Sequence, residues 1–234
     1  MEPYFAEFFG TLLLLLLGDG VVAAVLLKKS KAENAGWLVI VIGWGIAVTL
    51  AIYAVGSISG AHLNPAVTLA MFYRGMLPAD QMIGYIVAQL AGAFVGSALV
   101  WVHYLPHWKE TLDPDTKRAV FCTAPAIRNT VSNLVSEITA TAVLVLAILF
   151  IGANEFTQGL NPIVIGLIII SIGLSLGGTT GFAINPARDL GPRIAHFVLP
   201  IHGKGHSDWG YAWIPVVGPM IGGLLGAWVY NLIY

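Results

Sequence analysis

Hydrophobic positions dominate this chain in long stretches, and polar positions gather between them. Six apolar runs stand out, at about Tyr4–Leu27, Gly36–Gly56, Met82–His103, Asn133–Gly152, Pro162–Leu176 and Gly210–Ile233. A helix of about 20 apolar residues crosses a ~30 Å hydrocarbon core, so the pattern predicts six transmembrane helices. The first run lacks the basic flank and small-residue cleavage pattern of a signal peptide and is long enough to span, which reads as a retained helix. Like-spaced small residues, Gly92 with Gly96 and Gly222 with Gly226, suit close contact between membrane helices, and equally suit a chain that is simply rich in glycine.

The pattern repeats. Gly-Ala-His-Leu-Asn-Pro-Ala at 60–66 is matched by Gly-Phe-Ala-Ile-Asn-Pro-Ala at 181–187, and the first apolar run of each half carries a glutamate, Glu7 and Glu137. Three spans per half place the second half upside down relative to the first, an inverted repeat of the kind transport proteins use. The division falls at 1–115 and 116–234, the two halves forming one channel domain. Tyr104–Arg128 between them is the only long polar stretch and reads as a solvent-exposed connector.

In each Asn-Pro-Ala, the asparagine suits an N-cap and the proline the first helical position. A helix from Pro65 to about Arg74 covers only about 15 Å, half the apolar thickness. The second, from Pro186, meets Pro192, which should bend or interrupt it. The preceding segments, 57–63 and 177–184, read as irregular backbone, which a membrane tolerates only when it is packed in protein or lines an aqueous cavity. The architecture expected is all-α: six transmembrane helices plus two re-entrant half-helices meeting near the midplane.

Composition agrees with a lipid-solvated chain: 57% of residues are hydrophobic and 10% charged, with a mean hydropathy of +0.82. A formal net charge of −1 offers no basic surface for nucleic acid, and the single cysteine, Cys122, excludes an intramolecular disulfide. No cofactor or metal is expected. No His-Glu-x-x-His helix, Gly-x-Ser-x-Gly elbow or phosphate-cradling Gly-Lys loop suggests an enzyme.

Ser-Gly-Ala-His-Leu-Asn-Pro-Ala-Val-Thr at 59–68 and Gly-Phe-Ala-Ile-Asn-Pro-Ala-Arg-Asp-Leu-Gly-Pro-Arg at 181–193 closely resemble the aquaporin superfamily, and the resemblance extends over essentially the whole chain. Asp189 after Arg188, Arg193 four residues on, and Pro215-Val216 in the last run resemble its glycerol-facilitator branch. The resemblance implies a selectivity filter of Trp44, Gly173, Phe182 and Arg188, two motifs of Asn64, Pro65, Ala66 and Asn185, Pro186, Ala187, and a homotetramer with one pore per subunit. It also implies that Glu7 and Glu137 brace the loops before the motifs. A water-selective member usually has histidine where Gly173 stands, so the filter here should be wider and less polar. The expected cargo is glycerol, with water, dihydroxyacetone, urea, hydrogen peroxide and protonated lactic acid as other compact neutral molecules of the same class.

Outside the resemblance, Trp44 and Phe182 read more readily as packing, whereas an arginine at membrane depth such as Arg188 points to a water-filled site. His62 suits either a pore-facing or a structural histidine. Asp19, between Gly18 and Gly20, is not duplicated by the repeat and receives no role. Glu7, Asp19 and Glu137 also keep open a proton-coupled secondary transporter. Orientation is divided. The family places both termini in the cytoplasm of a cell-membrane protein, but this puts Lys28, Lys29, Lys31, Lys109, Lys117, Arg118, Arg128, Arg188, Arg193 and Lys204 outside and leaves Arg74 alone inside, against the positive-inside rule.

Overall fold

A computed structural model describes residues 2–234. All its regular elements are helices: α1 (Pro3–Leu26), α2 (Trp37–Ser59), α3 (Pro65–Tyr73), α4 (Ala79–His103), α5 (His107–Glu110), α6 (Pro114–Phe121), α7 (Thr130–Gly152), α8 (Asn161–Ser175), α9 (Pro186–Val198) and α10 (Ile214–Ile233). Five of these, α1, α2, α4, α7 and α10, are long and apolar enough to cross a membrane. The fifth predicted span, α8, has 15 residues, so its axis covers about 22 Å at 1.5 Å per residue. Turns over 176–180 continue the chain beyond its end.

The glycine pairs do mark close helix contacts. A Cβ on Gly92 would lie 2.2 Å from the Phe8 carbonyl oxygen and one on Gly96 2.4 Å from that of Leu12, so α4 meets α1 backbone to backbone. The second half repeats the device: Cβ atoms on Gly222 and Gly226 would lie 2.4 and 2.5 Å from the carbonyls of Ile138 and Ala142, joining α10 to α7. In lipid, where burial of apolar surface drives no association, such van der Waals approach holds helices together. The half-helices then cross between halves, α3 packing chiefly on α10 and α9 on α4. Leu38, Ile42, Ile46 and Leu50 stay exposed along one stripe of α2, as befits a surface wetted by hydrocarbon.

Two expectations need correction. Pro192 does not interrupt α9, which runs through it as one helix of 13 residues. Arg193 spans the proline turn by binding Asp189 one turn earlier, with Nε to Oδ1 at 2.7 Å and Nη2 to Oδ2 at 2.9 Å. The connector is not a solvent-exposed loop either. It folds into α5 and α6, where Trp108 and Phe121 are buried and stack with centroids 5.6 Å apart. With Leu27, Val100, Ala195 and Ile201 they form a second apolar core over one end of the bundle. Its charged residues hid four buried apolar side chains, Trp108, Val120, Phe121 and Cys122. The division at 115/116 falls inside α6.

Candidate functional site

α2 ends at Gly60, and the chain returns through 61–64 before α3 begins. Asn64 caps α3, its Oδ1 accepting from Ala66 N at 2.9 Å, while Asn185 caps α9 by accepting from Ala187 N at 2.9 Å and Arg188 N at 3.2 Å. Pro65 and Pro186 occupy the first turns, where a missing N–H costs no helical bond. Each asparagine then reaches across: Asn64 Nδ2 donates to the Ile184 carbonyl and Asn185 Nδ2 to the Leu63 carbonyl, both at 2.8 Å. The half-helices are thereby joined tip to tip. An amide nitrogen carries two hydrogens, so each asparagine keeps one further N–H.

The loops before the tips are strained in matching places. Ala61 and Leu63 have φ of 50° and 53°, and Phe182 and Ile184 have φ of 38° and 43°. Such left-handed conformations cost about 1–3 kcal/mol each in non-glycine residues, more readily so for a β-branched one such as Ile184. Buried carboxylates offset this. Glu7 accepts from Ser59 Oγ (2.6 Å) and His62 N (2.9 Å) on Oε1, and from Leu63 N and Gln89 Nε2 (both 2.7 Å) on Oε2. Glu137 accepts from Thr180 Oγ1 (2.6 Å), Ala183 N (3.0 Å) and Ile184 N (2.8 Å).

A cavity of about 790 Å³ runs past the joined tips. Trp44, His62, Asn64, Phe182, Asn185 and Arg188 line it, together with apolar residues that include Val48, Ile52, Val67, Leu144, Ile148 and Ile169. The Arg188 guanidinium lies 4.2 Å from the centre of the Trp44 ring, within cation–π range. Phe182 meets Trp37 edge to face at 5.6 Å, and Trp37 Nε1 donates to the Gly173 carbonyl at 3.2 Å. Gly173 itself does not line the cavity. A Cβ there would stand 2.7 Å from Val41 Cγ1 and 3.1 Å from Phe182 Cζ, so its missing side chain is the space that Phe182 leans into.

His62 combines both of its predicted readings, lining the cavity while its Nδ1 sits 3.2 Å from Thr68 Oγ1 and its ring rests on Tyr85 at 5.1 Å. Asp189 stays out of the cavity; with Arg193 it ties α9 to Thr123, whose N–H and hydroxyl both donate to its Oδ2. Sequence reasoning missed Trp37, which shares a helix face with Trp44 at i and i+7, and Gln89, a polar residue inside an apolar run that bridges Glu7 to Thr68. It also missed Gly18, where a Cβ would lie 2.3 Å from the Trp44 ring.

Two inverted halves whose capped half-helices meet beside a continuous cavity define the aquaporin fold. The chain belongs to the major intrinsic protein family, whose profile matches residues 1–230. It is 59% identical over 234 residues to a probable glycerol uptake facilitator protein of Thermotoga maritima, covering all of both chains. A glycerol uptake facilitator protein of Bacillus subtilis is 57% identical, across 99% of this chain and 84% of that one. Among solved structures, the aquaglyceroporin from Plasmodium falciparum superposes with a TM-score of 0.85 at 31% identity, covering 97% of this chain and 94% of that one. This is a multi-pass membrane protein of a channel family and not an enzyme.

Proposed function

We propose that the chain is a passive channel for glycerol that also passes water and other compact neutral solutes and excludes ions and protons. The observation that carries this reading is the mixed lining of the cavity, a few polar groups among apolar ones. The polar lining includes Arg188 and the side chains of Asn64 and Asn185, whose spare N–H groups are free to donate, and most of the rest is aliphatic and aromatic. A polyol has the same mixture, hydroxyls along one edge and hydrocarbon along the other, and can slide with both edges matched. Trp44 and Phe182 hold the carbon edge while Arg188 donates to hydroxyls.

Exclusion follows from the half-helices. Both aim their positive ends at the joined tips, where a cation is repelled and a passing oxygen is turned to accept from the asparagines. A water so held donates away from the tip on either side, which breaks a proton wire. The rival coupled transporter needs a carboxylate in the path, yet Glu7, Asp19 and Glu137 are buried away from the cavity. A homotetramer with a pore in each subunit and both termini in the cytoplasm completes the reading.

The test is stopped-flow light scattering from proteoliposomes, comparing shrinkage under an impermeant osmolyte with re-swelling under glycerol at two pH values. Rapid re-swelling that does not saturate and needs no proton gradient is expected. Water flux without glycerol flux would reject the filter, and flux that requires a pH gradient would favour the transporter.

A further inference from the structure

Behind the filter, on the side away from the cavity, α1 brings up a carboxylate that the bracing of the loops does not use. Asp19 is fully buried, and its Oδ2 accepts from Ser97 Oγ of α4 at 2.6 Å. Its Oδ1 has no hydrogen-bond partner, nor has Arg188 Nη1, and these two atoms lie 3.7 Å apart as an ion pair. A guanidinium only donates, so a buried guanidinium nitrogen without an acceptor calls for a counter-charge. The neighbouring Gly18 makes the approach possible, because α1 there runs directly against the Trp44 ring over which Arg188 lies.

We propose that Asp19 is a positioning residue that sets the solute preference of the pore, drawing the Arg188 guanidinium back against Trp44 and out of the lumen. Ser97 fixes the carboxylate, the carboxylate fixes the guanidinium, and the guanidinium sets the width left beside Phe182. Without the negative charge, Arg188 extends into the lumen, which obstructs a glycerol-sized solute more than it obstructs water. The inference rests on Arg188 being a filter residue, as proposed above.

The experiment measures glycerol and water permeabilities in proteoliposomes for wild type, Asp19→Asn, Arg188→Ala and the double variant. Asp19→Asn keeps the shape and the Ser97 contact but removes the charge. It is expected to lower the glycerol-to-water permeability ratio about fivefold, within the coupling that contacting charged groups display. In the Arg188→Ala background the same substitution should leave the ratio where Arg188→Ala alone puts it. An unchanged ratio in Asp19→Asn, or an equal drop in both backgrounds, overturns the assignment, since a purely structural role would act with or without Arg188. Should Asp19→Asn not fold, Ser97→Ala decides: it loosens the carboxylate while keeping its charge, and a drop in the ratio seen only when Arg188 is present supports the inference, whereas no drop defeats it. Failure of the filter reading looks different, because Arg188→Ala would then itself leave the ratio of glycerol to water and to longer polyols as in wild type.

Discussion

Replacing Glu7 by glutamine changes one oxygen into an NH2 group and leaves shape and volume intact, so it isolates what the carboxylate does as an acceptor. Four donors converge on Glu7, two per oxygen. If the new amide nitrogen takes the Oε2 place, Gln89 can rotate to present its own Oε1, which has no partner in the wild type. The Leu63 N–H cannot rotate and is left facing a donor. If the nitrogen takes the Oε1 place, the Ser59 hydroxyl can turn, and the His62 N–H is stranded instead. Either way one buried backbone donor loses a charged acceptor, a loss of about 1.5–3 kcal/mol. At about 2–4 °C per kcal/mol for a chain of this size, thermal unfolding of the purified protein in detergent should fall by about 3–12 °C. Glycerol flux should fall with it, because Leu63 is held at positive φ and its carbonyl is the acceptor for Asn185. Unfolding within 1 °C of wild type together with unaltered flux would refute the account of Glu7 as the brace of this loop.

Three other perturbations test separate parts of the structure. Gly173→His should lower glycerol permeability by about tenfold, equivalent to ~1.4 kcal/mol on the barrier, and water permeability by less, since the new Cβ must displace Val41 and the Phe182 ring; equal losses of both in stopped flow would contradict this. Asp189→Ala leaves fully buried Arg193 without its carboxylate and should cost about 3–5 kcal/mol in detergent unfolding, much of which Asp189→Leu with Arg193→Met should recover. Burial would raise the carboxyl pKa of Asp208, but the hydrogen bond and charge of Arg128 outweigh it and hold the pKa below the usual range. The Arg128–Asp208 pair therefore contributes above the usual carboxylate range and is lost as pH falls through the depressed value, so amide protection in the 199–213 segment, measured as exchange relative to the intrinsic rate at each pH, should fall below about pH 4 and lose that dependence in Arg128→Gln.

The frame of the protein was legible because membrane physics writes it in runs and repeats. Run length gave five helices of spanning length and the shorter α8, and Asn-Pro gave both half-helix starts at Pro65 and Pro186 as observed. The inverted repeat also made Glu7 and Glu137 readable as a pair, and both contact the loops before the motifs. What stayed hidden is whatever the repeat does not copy. Asp19, Gln89, Ser97 and Trp37 act through residues distant in sequence, and each looks alone like a stray polar or aromatic side chain. The connector was misread because burial in α5 and α6 depends on a few apolar positions meeting Leu27, Val100 and Ile201 from elsewhere. Pro192 was misread because propensity weighs the residue alone, whereas the Arg193–Asp189 bridge across it is tertiary in its supports: Thr123, Ser207 and Asp208 all hold it.

The distribution of basic residues finds its physical account in the same tertiary detail. The positive-inside rule counts Lys and Arg in the short loops and near the ends of the spans, and Asp and Glu contribute little to it. Lys28 pairs with Glu33, Lys29 with Glu110, Arg118 with Asp115, and Arg128 with Asp208. Arg188 and Arg193 face Asp19 and Asp189 inside the protein. Lys117 donates to the carbonyls of His202 and Gly203, and Lys204 to those of His196, Phe197 and Leu199 at the end of α9, where a cation meets the negative end of a helix. Eight of the ten cations assigned to that end are thus engaged in its folding, leaving Lys31 and Lys109 outside these pairings. Most of the cations that crowd this end therefore serve contacts within one folded cap, from the surface pairs of Lys28 and Lys29 to the buried pair of Arg193.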